Sequence, residues 1–380
     1  MTIRKIFFWL HLFVGTVTGS VILVMCMTGA ALGFEKQIVH WAQRHERTVA
    51  ASDGAQLLSM DALLAQALQR ESDQSVSVTW RSQPRSTVEL AYGRSRTVFL
   101  NPYNGQILED RAVKLRSFFD DTENIHRWLG VSGANRPTGR AITGAANLLF
   151  LFLACSGLYL WWPRKWTWNA LKTGTTLRRG LSGRARDFNW HNAIGFWMCL
   201  PLFVIVVCST VMSYQWANNL VYRLSGSPVP LANAAPRPAG VQAGPQEKLK
   251  IGGLASLCAL AERKVPEWQS ITMRLPAGKS AKVVFQIDAG DGGPPDQRAQ
   301  LTLDRVTGDE VRWEPFSENT RGRKIRAWMR FAHTGEAGGL LGQSLASAAS
   351  LGGVFLACTG IALAIRRFIG FWSKAKPSDL

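Results

Sequence analysis

Four stretches of the chain carry no charged residue and are long enough to cross a bilayer as helices: residues 6–34, 141–163, 188–222 and 337–365. Each exceeds the roughly 20 residues that a spanning helix needs. In the two long intervals between them the pattern shortens and alternates. Ser59, a helix-capping residue type, precedes an apolar-periodic helix with Leu63, Leu64 and Leu68. Period-two alternation then runs through Val76, Val78 and Trp80, through Val88, Leu90 and Tyr92, and through Val98 and Leu100, which predicts half-buried strands. Asn101-Pro102-Tyr103-Asn104-Gly105 supplies the turn. The later interval follows the same order. A helix carries Leu254, Leu257, Cys258 and Leu260. Strands pass through Trp268, Ile271 and Met273, then Val283, Phe285 and Ile287, then Leu301 and Leu303, and Leu303-Asp304-Arg305-Val306-Thr307-Gly308 makes the turn.

Residues 35–49 extend the first span as a helix, and residues 115–128 form an amphipathic helix returning toward the second. Two further motifs match across the halves. Phe152-Leu153-Ala154-Cys155-Ser156-Gly157 in the second run answers Phe355-Leu356-Ala357-Cys358-Thr359-Gly360 in the fourth, each followed by a basic stop. The chain therefore reads as a tandem duplication of span, module and span, with both halves starting on the same side. Such a parallel repeat has its axis along the membrane normal. The fold class expected is an α-helical membrane protein with α+β outer modules, each module a helix plus a three-strand antiparallel meander. Its divisions are a first span at 1–34, the first outer module with its return helix at 35–139, and a second span at 140–163. A basic loop at 164–187 and a third span at 188–222 follow. A linker and second module occupy 223–336, a fourth span 337–365, and a tail 366–380. Pro201 predicts a kink in the third span. Residues 228–245, rich in Pro, Ala and Gly, read as linker. The first span is too long for the apolar core of a signal peptide and reads as retained.

Charge then fixes orientation. Arg4 and Lys5, the loop cations Arg164, Lys165, Lys172, Arg178, Arg179, Arg184 and Arg186, and Arg366, Arg367, Lys374 and Lys376 all flank the spans on one side. Basic short loops are cytoplasmic, so both termini are expected inside and both modules outside. The net charge of +18 is that of a membrane protein with basic edges and gives no reason to expect a nucleic-acid partner. Trp161, Trp162, Trp166, Trp168, Trp190 and Trp372 fall where an interfacial aromatic belt would lie. Of six cysteines only Cys258 lies outside the spans, so no disulfide framework is expected.

The candidate chemistry is four histidines. His11 sits inside the first run and His191 near the start of the third; His126 and His333 precede the second and fourth. A histidine hydrogen-bonded to a neighbouring helix is the alternative for each ring taken singly. Taken together, the repeat puts His11 and His191 at one depth and His126 and His333 at another, facing a shared axis. Two imidazoles facing across an axis can fill both axial positions of a haem iron. Gly15, Gly19 and Gly195 leave room for a flat macrocycle. Two b-type haems, very roughly 20 Å apart, are the cofactors expected. Zinc would want four ligands, often with Cys or carboxylate, and no acidic residue lies within any of the four runs; a proton relay would want Asp, Glu or His in succession, and the runs offer none. Two histidines on one span, the usual cytochrome b pattern, are also missing, and no CxxCH motif offers covalent attachment. His40 and His45 read as solvated. The basic run from Arg321 to Arg330 reads either as a solvated face or as a carboxylate clamp, with Arg326 and Arg330 as candidate propionate contacts. Without a GxGxxG fingerprint after a strand, the expected electron donor is another protein or a quinol.

These residues carry a resemblance. The two modules with their turns resemble PepSY domains. The spans, with Trp9-Leu10-His11-Leu12-Phe13-Val14-Gly15 and Ala332-His333-Thr334-Gly335, resemble the PepSY-associated transmembrane family of iron-regulated inner-membrane proteins over nearly the whole chain. Within that family the chain looks most similar to the FoxB-type ferrioxamine reductases, which contain haem and reduce ferric siderophores. The resemblance implies a bacterial inner-membrane enzyme that reduces an iron(III) siderophore, of hydroxamate type, in the periplasm and releases Fe2+. It maps the family histidines onto His11, His126, His191 and His333. The second turn departs from the family pattern, with Arg305-Val306 where Pro-Tyr is expected. A siderophore or iron permease, and a PepSY-type regulator of a peptidase with the spans as anchors, are the competing readings.

Overall fold

A computed structural model describes residues 2–50, 56–68, 76–93, 96–230, 253–275, 282–290 and 292–375. The linker read at 228–245 falls outside them from residue 231 onward, as does Lys376. In chain order the elements are α1 (Ile3–Leu32), α2 (Glu35–Ala42), α3 (Met60–Leu68), β1 (Val76–Arg81), β2 (Val88–Tyr92), β3 (Arg96–Leu100), β4 (Ile107–Glu109) and α4 (Val113–Trp128). There follow α5 (Arg136–Trp161), α6 (Trp168–Thr175), α7 (Gly183–Ser213), α8 (Gln215–Leu224) and α9 (Leu254–Lys264). The chain ends with β5 (Ser270–Leu275), β6 (Lys282–Asp288), β7 (Arg298–Asp304), β8 (Glu310–Pro315), α10 (Arg321–Thr334) and α11 (Gly339–Ala375). Two units form. One comprises residues 1–35, 119–221 and 326–380, the other residues 36–118 and 222–325.

The first unit is helical. Four helices are long and apolar enough to cross a membrane: Ile3–Leu32, Gly133–Trp161, Gly183–Ser213 and Glu336–Phe371. Several of their polar residues find partners within the bundle, as a low-dielectric surrounding favours. Thr18 donates to the Val14 carbonyl (2.8 Å), and Asn147 joins α5 to α7 through the Val206 carbonyl and Thr210 Oγ1. Each of α1 and α7 packs on both α5 and α11, which sets α1 and α7 across from one another. Small residues permit the close approaches. Gly353 of α11 lies against Cys26 of α1, and Gly352 against Met198 of α7. The uncharged run at 188–222 is not one span. Tyr214 adopts an extended conformation (φ −118°, ψ 128°) that ends α7, and the amphipathic α8 carries the rest. Apolar content alone ran across this break. Pro201 lies inside α7.

The second unit is an α/β layer. The expected pair of three-strand meanders is instead one antiparallel sheet of eight strands, ordered β4-β3-β2-β1-β5-β6-β7-β8. Each module gains an outer strand, β4 or β8, and the two modules join edge to edge at β1 and β5. Apolar residues face each other across this seam, Val76 with Leu275, Val78 with Met273 and Trp80 with Ile271, and Thr79 and Thr272 share a hydroxyl hydrogen bond of 2.8 Å. Leu63 and Leu64 of α3, with Leu254, Leu257, Cys258 and Ala261 of α9, bury one face of the sheet in a single core. Each helix leans on the other half: Asp61 of α3 accepts from the first backbone N–H groups of α9, at Leu254 and Ala255 (2.9 and 3.0 Å). The two turns close alike. Asn101 Oδ1 accepts from Tyr103 N and Asp304 Oδ1 from Val306 N, and Gly105 and Gly308 take the left-handed conformation (φ 71° and 77°). The Pro-Tyr pair missing from the second turn is therefore not needed to form it.

Candidate functional site

All four histidines lie in the helical unit and meet in two pairs. The imidazoles of His11 on α1 and His191 on α7 have their centres 6.4 Å apart, with planes at 89°. His126, near the end of α4, and His333, near the end of α10, are also 6.4 Å apart, at 52°. Met25, whose carbonyl meets His126, lies 14 residues beyond His11 on α1, about 21 Å along the helix axis. Ile205, whose carbonyl meets His333, lies 14 residues beyond His191 on α7.

In every case Nδ1 is the nitrogen hydrogen-bonded to the protein. His11 Nδ1 meets Ser156 Oγ at 2.8 Å and His191 Nδ1 meets Thr359 Oγ1 at 3.0 Å. Each hydroxyl donates its own proton to a carbonyl four residues earlier, Phe152 or Phe355, at 2.7 Å. The hydroxyls therefore accept from the rings. His126 Nδ1 donates to the Met25 carbonyl (3.0 Å), with Thr28 Oγ1 at 2.9 Å, and His333 Nδ1 donates to the Ile205 carbonyl (2.9 Å). A carbonyl can only accept. The network thus assigns the Nδ1–H tautomer to all four rings and leaves Nε2 with its lone pair, the state a metal ligand needs. Burial, and after it the neighbouring His333, pushes the pKa of His126 down to about 4. Burial likewise lowers that of His333, so both rings are neutral at pH 7.

The pairs fit a haem iron. Two metal–nitrogen bonds of about 2 Å, with about 1 Å from each nitrogen to its ring centre, span about 6 Å, the separation found in both pairs. Around His11 and His191 there is a cavity of about 580 Å³, within the roughly 300–1,000 Å³ of small-molecule and cofactor sites. Gly15, Gly19 and Gly195 line it, as the sequence led us to expect, and so do Gly157, Gly353 and Gly360. Gly157 and Gly360 matter most. A side-chain carbon on either would stand 3.3 or 3.4 Å from Cε1 of His11 or His191. Gly29 holds the same relation to His126, at 3.3 Å. Ser156, Gly157, Thr359 and Gly360 all belong to the matched Phe-Leu-Ala-Cys-Ser/Thr-Gly motifs, which signalled them without disclosing their partners.

A family model for the PepSY-associated TM region matches residues 8–367. The chain belongs to this family. No curated protein matches it. The PepSY-associated TM match takes in all four histidines, together with Ser156 and Thr359. Arg326 and Arg330, the sequence candidates for holding propionates, lie on α10 of this PepSY-associated TM protein. Arg326 Nε donates to Asn218 Oδ1 (3.0 Å), while Arg330 is exposed and stands over the Phe331 ring at 5.8 Å. His40 and His45 are exposed and belong to neither pair. On the side of the basic loop Trp161 stacks on Phe196 at 4.4 Å and donates to the Gly174 carbonyl, and Trp197 donates to that of Thr175. These two bonds tie α6 to the bundle. Trp162, Trp166 and Trp168 are exposed, as an interfacial belt requires.

Proposed function

We propose that the chain is a di-haem inner-membrane reductase that passes electrons across the bilayer to a ferric siderophore in the periplasm and releases Fe2+. The observation that carries this reading is the two imidazole pairs, each 6.4 Å between ring centres, stacked about 21 Å apart along α1. In this reading His11 and His191 hold one b-type haem and His126 and His333 the other. A haem held by these imidazoles would supply one-electron exchange rather than O2 activation. The protein keeps each Nε2 available, fixes ring orientation through Nδ1, and surrounds the inner site with glycine and apolar side chains. Substrate chemistry agrees with single electrons. Hydroxamate oxygens are hard donors that hold Fe3+ far better than Fe2+, so one electron releases the metal without breaking the ligand.

In this reading the basic loop and the basic ends of α1 and α11 face the cytoplasm, as the positive-inside rule favours. Electrons then enter at His11 and His191 from a quinol or a donor protein and leave near His126 and His333. The test is the absorption spectrum and haem content of the purified protein, followed by anaerobic mixing of the reduced form with ferrioxamine. A Soret band with sharp reduced α and β bands, two haems per chain and reoxidation by ferrioxamine support the reading. Protein purified without haem, and unable to take it up, would direct attention to a permease or a regulator of a peptidase.

A further inference from the structure

The cavity around His11 and His191 has one charged end. We propose that Arg4, Arg164, Arg184 and Arg367 form an acid-binding ring that takes the two carboxylates of a flat, apolar ligand held between these imidazoles. In chemical terms these are the propionates of a haem, and the ring decides which edge of the macrocycle faces this end. The inference rests on the haem reading above and extends it to residues that reading does not use.

The register carries the argument. Arg4 precedes His11 by seven residues on α1, and Arg184 precedes His191 by seven on α7. Seven residues make nearly two turns, so each arginine shares its histidine's helix face, about 10 Å along the axis. Arg367 follows Gly360 by seven residues on α11, and Gly360 is the glycine against His191. Arg164 follows Gly157, the glycine against His11, by the same interval, just past the end of α5. All four arginines line the one cavity, with Lys5 beside them.

Among the described residues these charges lack counterions. No Asp or Glu lines the cavity, and among the described residues none pairs with any of the five cations. The contrast is with Arg186 and Arg366, neighbours in sequence of Arg184 and Arg367, which share Asp187 (3.0 and 3.3 Å) and do not line the cavity. Arg4 gives Nη2 to the Leu160 and Trp162 carbonyls (2.5 and 3.3 Å), and Arg367 stands over Phe8 and Trp9 (4.9 and 4.7 Å). A guanidinium has five N–H donors, so both retain donors for an incoming carboxylate. Beyond the histidines the cavity is lined by Gly19, Ile22, Leu202 and Gly353, a lining suited to the apolar edge of the same ligand.

The test uses the full chain in detergent, stripped of haem and with the second site disabled by His126→Ala. It is titrated with haemin and with haemin dimethyl ester. We expect the diacid to bind about tenfold or more tightly than the ester, because bidentate guanidinium–carboxylate pairs are strong. Combined Arg4→Gln, Arg184→Gln and Arg367→Gln should bring diacid binding down to the ester level and leave ester binding unchanged, which also shows that the variant is folded. Equal binding of diacid and ester by the unsubstituted ring, or parallel loss of both in the Gln variant, overturns the proposal. Phosphatidylglycerol is added in a separate arm. If it stabilises the protein through the same arginines while diacid and ester bind alike, the ring is a lipid-headgroup site and the proposal falls. If neither porphyrin gives a low-spin bis-imidazole spectrum, the haem reading fails and this proposal with it.

Discussion

The backbone carbonyls of Met25 and Ile205 do the same work on two different helices. Each accepts from the Nδ1 of one histidine (His126 at 3.0 Å, His333 at 2.9 Å) and stands 14 residues beyond another on its own helix, His11 or His191. Both α1 and α7 therefore supply a ring to one pair and orient a ring of the other. A change in the tilt of either helix is felt at both.

Single histidine replacements follow from this arrangement. His11→Ala should reduce haem content from two to about one per chain and spare the spectrum of the other site. His126→Ala should do the converse. In the proposed serial electron path, ferrioxamine reduction should fail in both variants. Haem assay with low-temperature reduced spectra checks this; two haems retained in either variant would refute the assignment.

Ser156 offers a finer test. Its hydroxyl is the acceptor for His11 Nδ1 (2.8 Å), and an acceptor there increases the basicity of the ligating nitrogen. Ser156→Ala should therefore raise the reduction potential of the site at His11 and leave the other unchanged, whereas Ser156→Thr should retain the original value. Potentiometric titration resolves the two components.

Gly157 and Gly360 should tolerate little. Valine at either position places its first side-chain carbon 3.3–3.4 Å from the His11 or His191 ring and its methyls in the cavity. Haem loading of that site should drop, with membrane insertion and the second site intact, by the same assays.

In the sheet unit, Asp61→Ala removes the acceptor for two N-terminal N–H groups of α9. A lost cap costs about 1 kcal/mol, which corresponds to about fivefold faster hydrogen exchange if α9 opens locally. Mass-resolved exchange over Leu254–Lys264 in the full chain reads it directly.

Acid should weaken the haem-free protein. The pKa of His126 is about 4 in the fold against 6.5 for the free ring, so the unfolded chain binds the extra proton more readily. The contribution of the neutral ring is present above pH 6.5 and is lost as pH falls toward 4. Thermal stability measured across this window should decline, and His126→Gln should flatten the decline.

The spans and the histidines were legible because a membrane leaves no ambiguity about charge: a polar ring in an uncharged run stands out. The break at Tyr214 did not, since the residues on both sides of it are uncharged. Strands β4 and β8 were missed for a different reason. One has three residues, and the other runs at an edge where burial does not alternate. The seam between β1 and β5 is made by backbone groups, which every sequence has. Arg4, Arg164, Arg184 and Arg367 were visible throughout, but as topology signals. Only the cavity shows that they meet in one site with the histidines and their glycines.

That seam also has a kinetic side. Strand β1 finds its neighbour about 200 residues later, Val76 opposite Leu275, so the first module must wait for the second with one sheet edge open. An unpaired edge invites pairing with other chains, and contacts so distant in sequence form slowly. During synthesis the first half is thus the vulnerable one, and slowed delivery of the second half should send it toward aggregation or a holding chaperone rather than toward an independently folded domain.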